Sequence, residues 1–151
     1  MSRAYKIHNK DGIYFISFAT VGWVDVFTKA EYKDIVVYSL RYCQKAKGLV
    51  LYAWCIMTNH IHLIISAKER YDLTGIIRDM KKYTSKQLIK AILENPKEGR
   101  KEWMIDIISK AGESNSNNKQ YQFFSQDNRP IEIYSNPVID QKLDYLHNNP
   151  V

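Results

Sequence analysis

Cysteine is scarce in this 151-residue chain: Cys43 and Cys55 are the only two, they form no C-x-x-C pair, and they fall in different expected elements. A chain of this length buries a core without covalent staples, so reduced thiols and a cytoplasmic setting are the economical reading. Long apolar runs are missing as well. The longest, 49–57 and 61–65, fall far short of the ~20 residues a membrane-spanning helix needs, so no membrane partner is expected. The first ten residues carry basic side chains but no apolar stretch, which argues against a secretory signal. A Gly-rich phosphate loop, a G-x-S-x-G elbow and a paired C-x-x-C set are all absent. Cys55 sits inside an apolar run with no cationic neighbour in sequence to lower its pKa, so thiol nucleophile chemistry is a poor fit.

What is present is an ordinary globular composition. Hydrophobic residues make up 45% and charged residues 25%, which excludes disordered and fibrous architectures and leaves one domain, 1–151, as the expected count. Lys+Arg 22 against Asp+Glu 16 gives a net charge of +6, by itself a weak hint of an acidic partner. Its distribution says more. Residues 78–90 hold five cations and one anion, a net +4 that leaves only +2 for the rest of the chain. Residues 73–93 have helical periodicity, and Arg78, Lys82, Lys86 and Lys90 recur at every fourth position, with Lys81 beside them. Like charges at that spacing repel by a few tenths of a kcal/mol per pair. A solvated helix face is one reading of this ridge; a face that phosphates would relieve is the other.

Gly12–Thr20, dense in aromatic and β-branched residues, reads as a strand. A helix is expected over 28–47, with Thr28 as N-cap, Glu31 as its capping-box partner and Gly48 as terminator. Its buried side would be Ile35, Val36, Tyr38, Ser39, Leu40, Tyr42 and Cys43. Two strands, 49–57 and 60–66, joined by Thr58-Asn59, predict an antiparallel hairpin. The basic helix then stops at Asn95-Pro96. A further helix over 98–111 would be built on Trp103, Met104, Ile107 and Ile108. A polar, mobile loop is expected at 112–120, short strand candidates at 121–124 and 131–134 with a turn between, and a last helix opened by Asn136-Pro137. This order predicts an α+β fold, a ferredoxin-like sandwich whose antiparallel sheet carries helices packed on one face.

In His60-Ile61-His62-Leu63-Ile64-Ile65-Ser66, alternation puts Ile61, Leu63 and Ile65 on one side and both histidines on the other. Their Cα atoms would lie about 7 Å apart, close enough for two neutral imidazoles to share one cation; imidazole suits Mn or Zn better than Ca. A polar sheet face without metal is the plainer alternative, since a third ligand is missing from the motif. In the last helix Ile139, Leu143 and Leu146 form the apolar stripe, with Tyr145 at its shoulder.

The segment Met57-Thr58-Asn59-His60-Ile61-His62-Leu63-Ile64-Ile65 resembles the His-hydrophobic-His motif of single-tyrosine HUH transposases. Asp144-Tyr145-Leu146-His147-Asn148-Asn149-Pro150-Val151 is similar to the Tyr-x-His-x-Asn-Pro-Val motif of their REP-associated tyrosine transposase branch. Thr58 departs from the proline common at that position. The chain ends directly after the second motif, where relatives continue, so a missing C-terminal segment is an expectation.

The resemblance implies cleavage of single-stranded or hairpin DNA at one phosphodiester, leaving tyrosine joined to the 5′-phosphate and releasing a 3′-OH. Carried over by position, Tyr145 would be the nucleophile, and His60, His62 and Asn149 would hold Mg²⁺ or Mn²⁺. Arg78, Lys81, Lys82, Lys86 and Lys90 would contact the DNA backbone, and His147 would point elsewhere. Homodimers that exchange tyrosines and monomers are both compatible with the family. A non-catalytic DNA- or RNA-binding module on the same fold is the alternative. A nuclease using water as nucleophile is disfavoured by the absence of a carboxylate near the histidines.

Overall fold

The computed structural model describes residues 7–114, 121–125, 128–133 and 136–148. Its elements are β1 (Ile13–Ala19), α1 (Ala30–Ala46), β2 (Leu49–Ile56), β3 (His60–Ala67), α2 (Leu73–Glu94), α3 (Lys101–Glu113), β4 (Ile131–Ile133) and α4 (Asn136–Asn148). The strands form one antiparallel sheet in the order β2-β3-β1-β4, with β2 at one edge and β1 and β3 at the centre. This is the α+β sandwich expected from the element order.

Alternation in the central strands divides the sheet into two unlike faces. Tyr14, Ile16 and Phe18 of β1 and Ile61, Leu63 and Ile65 of β3 face α1 and α2 and build the main core with Val36, Leu40, Ile77, Met80 and Leu88. The opposite face carries a smaller cluster, Phe15, Ile64 and Ile133, against which Leu143 of α4 packs. The expectation of helices on one face therefore holds for α1 and α2, while α4 lies against the other. The stripe on α4 shows that one side is buried but not which side of the sheet receives it. Of that stripe only Leu143 has a described side chain, and it is half-buried as expected.

Local expectations fail where a side chain finds a better partner. Thr28 does not cap α1: its hydroxyl donates to Asp25 O at 3.2 Å within a 3₁₀ turn, Val26–Thr28, and the helix starts two residues later. The capping box is thus lost. Tyr38 and Tyr42, expected in the core, are 62% and 44% exposed, because a helix resting on a sheet buries only one stripe. Trp103 is likewise half-exposed. Glu98 lies before α3, buried and paired with Lys29 and Arg100, so it anchors the loop between α2 and α3 instead of starting a helix.

Other boundaries agree closely. Asp72 accepts a hydrogen bond from Gly75 N and caps α2. Gly48 closes α1 at φ +75°, where a Cβ would run into the Tyr71 ring. The Thr58-Asn59 turn joins β2 and β3 as expected. Residues 121–124 make only an isolated bridge, Thr20 with Phe124. Of the loop expected over 112–120, residues 112–113 instead continue α3, while 115–120, like 1–6, 126–127, 134–135 and 149–151, lie outside the described residues.

Candidate active site

Register builds the site. Ser17 of β1 sits directly across from His62, and Ala19 from His60, on the sheet face away from α1 and α2. The two imidazole centroids are 4.6 Å apart. His62 is buried, His60 half-buried. The Nδ1 of His62 lies 2.6 Å from Ser17 Oγ, and the Nδ1 of His60 lies 2.7 Å from Asn59 Oδ1. An amide oxygen only accepts, so His60 Nδ1 donates and its Nε2 keeps a free lone pair. His62 reaches the same state in the tautomer that donates Nδ1–H to the Ser17 hydroxyl, which can accept or donate. Its Nε2 is buried and meets no hydrogen-bond partner among the described residues.

Electrostatics keep both rings neutral. Burial pushes the His62 pKa down to about 4, with His60 and Lys142 adding to the effect, and burial alone lowers His60. Two neutral imidazoles with lone pairs free, one of them buried without a partner, are a donor set suited to a divalent cation. Among the described residues, no group of three or more His, Cys, Asp or Glu side chains gathers in metal-binding geometry.

Tyr145 of α4 comes to this pair within the same chain. Its ring centroid is 5.5 Å from that of His62 and 6.1 Å from that of Phe15, both edge-on, and the residue is 51% exposed. Phe15 also stacks on His62 at 5.3 Å and carries the Lys142 ammonium 5.0 Å above its ring. A hydrophobic floor, two imidazoles, an accessible phenol and one ammonium thus converge on a small patch. His147 is exposed elsewhere on α4. Asn149, the expected third ligand, lies outside the described residues.

The basic residues are not part of this patch. Arg78, Lys82, Lys86 and Lys90 are exposed along α2, which packs on the opposite face of the sheet. Lys81 differs from its neighbours: its ammonium donates to Ser125 O at 3.0 Å and Asn128 Oδ1 at 2.6 Å and lies over Phe18, tying α2 to the chain before β4. Cys55 is half-buried with its thiol pKa raised by burial; Lys33 opposes the shift without reversing it, a cation brought close by the fold alone. Ser17, Phe15 and Lys142 join the site through the fold and not through any pattern in the sequence. Asn59 joins it through the fold as well, its one sequence signal being that it adjoins His60.

Fold and site together define a small α+β domain with two histidines and one tyrosine on a single sheet face. The family model for IS200-like transposases matches residues 14–124, and the chain belongs to that family. Among solved structures it is similar to a REP-associated tyrosine transposase bound to a REP hairpin, with a TM-score of 0.67 and 14% identity over 99% of this chain and 73% of that one. It is also similar to a candidate transposase from Deinococcus radiodurans R1, with a TM-score of 0.52 and 19% identity over 98% and 95%. At these identities the likeness concerns the fold. No curated protein shows significant similarity to the chain. Among the described residues no helix is long and apolar enough to cross a membrane.

Proposed function

We propose that the protein is a single-tyrosine DNA strand transferase that cuts and rejoins single-stranded or hairpin DNA through a 5′-phosphotyrosine at Tyr145. The observation that carries this reading is the 5.5 Å approach of Tyr145 to His62 within one chain. Membership of a transposase family makes DNA the substrate class, and a structural relative bound to a REP hairpin makes a hairpin a reasonable form of it.

In this reading the Tyr145 Oη attacks phosphorus, an O–P bond forms, and the bond to the 3′-oxygen breaks. The phenol gives up its proton and the departing 3′-oxygen takes one up to leave as a hydroxyl; the energy of the broken ester is kept in the phosphotyrosine, so the reverse attack needs no nucleotide cofactor. A phenol is a weak nucleophile near neutral pH, so the phosphate must be positioned and polarised. His60 and His62 would hold a divalent cation through their Nε2 atoms, with Asn149 as third ligand. The cation would supply Lewis-acid polarisation of the phosphate. Two imidazole donors suit Mn²⁺ better than Mg²⁺, which prefers oxygen. Phe15 fixes the plane of His62, and Lys142 places a positive charge on the same side. A tyrosine that reaches its own chain's histidines lets a monomer suffice.

Incubation with labelled single-stranded oligonucleotides carrying hairpins, plus Mn²⁺, should yield a covalent adduct that survives denaturation. Tyr145→Phe should abolish it, and His60→Ala should reduce it by at least 10³-fold, in line with losing a metal ligand's share of catalysis, roughly 4 kcal/mol. An adduct that persists in Tyr145→Phe sinks the assignment.

A further inference from the structure

The outer surface of the helical layer is unusually aromatic for a face turned to water. Tyr38 and Tyr42 of α1, one turn apart, are 62% and 44% exposed, and Tyr83 of α2 is 38% exposed. The Tyr42 and Tyr83 rings stack across the helix pair with centroids 6.1 Å apart and planes 28° from parallel. Beside them lies an open groove of about 350 Å³ lined by Asp34, Ile35, Tyr38, Tyr83 and Gln87. Tyr83 is flanked in sequence by Lys82 and, one turn on, by Lys86, both exposed. Exposed cations stand on both helices, Lys82, Lys86 and Lys90 on α2 and Arg41 and Lys45 on α1, and Asp34 is the one carboxylate among the residues lining the groove.

Exposed rings with a row of cationic side chains beside them match the two halves of a nucleotide. A duplex hides its base faces and offers phosphates alone, whereas an unpaired strand offers both. We propose that the Tyr38–Tyr42–Tyr83 surface is a stacking platform for single-stranded DNA, with its bases on the tyrosines and its backbone along Lys82 and Lys86. The inference rests on the DNA-processing reading and adds a second contact surface on the opposite side of the sheet from the histidines. Edge strand β2 connects the two: Cys55 pairs with His62 on the site face, while its neighbour Trp54, half-exposed, pairs with Leu63 on the helical face. A strand leaving the site turns round this edge and reaches the tyrosines on α1.

The test is the affinity of the full chain for labelled oligothymidylate in EDTA, where neither metal nor cleavage contributes. Tyr42→Ala/Tyr83→Ala should weaken binding by about tenfold or more with the salt dependence unchanged, and Tyr42→Phe/Tyr83→Phe should retain it, because phenylalanine keeps the stacking face. Lys82→Ala/Lys86→Ala should instead reduce the slope of log K against log salt by about 1.4. Binding to the corresponding duplex should not respond to the tyrosines. Unchanged affinity in the double alanine variant, equal loss with duplex, or equal loss in the phenylalanine variant each overturns the proposal. So does a concentration-dependent self-association that the alanine variant abolishes while oligothymidylate affinity stays constant, since the occupant would then be a second copy. Tyr38→Ala, at the most exposed ring, carries the test if the double variant does not fold. Failure of the adduct assay with tyrosine-dependent binding intact leaves this inference standing; an intact adduct with tyrosine-independent binding removes this inference alone.

Discussion

Ser17 shows how one small side chain bears on the state of another. Its hydroxyl lies 2.6 Å from Nδ1 of His62, and accepting the Nδ1–H there selects the tautomer that leaves Nε2 free. Ser17→Ala should therefore lower Mn²⁺ affinity by about tenfold or more, measured by titration calorimetry on the unreacted protein, while Ser17→Thr should restore most of it. Equal affinity in the alanine variant would mean that the ring is held by Phe15 alone. The histidine pair was legible in the sequence because alternation within one strand is a local property. Ser17 was not, because its relation to His62 depends on the register between β1 and β3, forty-five residues apart. Tyr145 was legible only through the motif around it; nothing in its helical position separates it from other tyrosines of the chain.

The elements are joined by devices of a different kind. Glu98 gathers Lys29 from the start of α1, Tyr32 from its first turn and Arg100 from the loop before α3, and Arg100 reaches on to Asp25 at 2.6 Å. Burial alone would raise the carboxyl pKa, but the bonds from Arg100, Lys29 and Tyr32 outweigh it and hold Glu98 at about 2. A folded-state pKa below the unfolded value means that the carboxylate stabilises the fold above about pH 4.5 and stops doing so as pH falls through 2. Glu98→Gln should thus cost about 2 kcal/mol at neutral pH and flatten the stability profile between pH 4.5 and 2, as read by chemical denaturation. At the other end of α1, Gly48→Ala should cost about 2 kcal/mol or more, since both the positive φ and the Tyr71 ring oppose a Cβ. Adding Tyr71→Ala should recover the steric part and leave the conformational part. The terminating glycine was legible from its place after an apolar-periodic run. The outward rings of α1 were not, because tyrosines at 38 and 42 satisfy the same spacing as core residues and only the width of the packed stripe excludes them.

For the whole molecule, the two sheet faces differ greatly in how much they bury. The face toward α1 and α2 holds nearly all the core, whereas α4 rests on Phe15, Ile64 and Ile133 through Leu143. Leu143→Ala should accordingly loosen α4 while leaving the rest intact: amide exchange should accelerate several-fold in α4 and remain unchanged in β1 and β3, and the rate of adduct formation should fall with it. Acceleration throughout the sheet would show that the small cluster belongs to the same cooperative unit. Fold class was legible because element order and strand alternation fix the main core. The seating of α4 was not, because a three-residue strand and a few side chains settle it.

The consequence of this lopsided sheet concerns how such a protein changes over generations. Under the strand-transferase reading, Leu143 is the position where activity and foldedness can be varied apart. It rests on the small cluster and not on the main core, so a change there would alter how often the tyrosine meets its histidines before it reached the packing that holds the domain together.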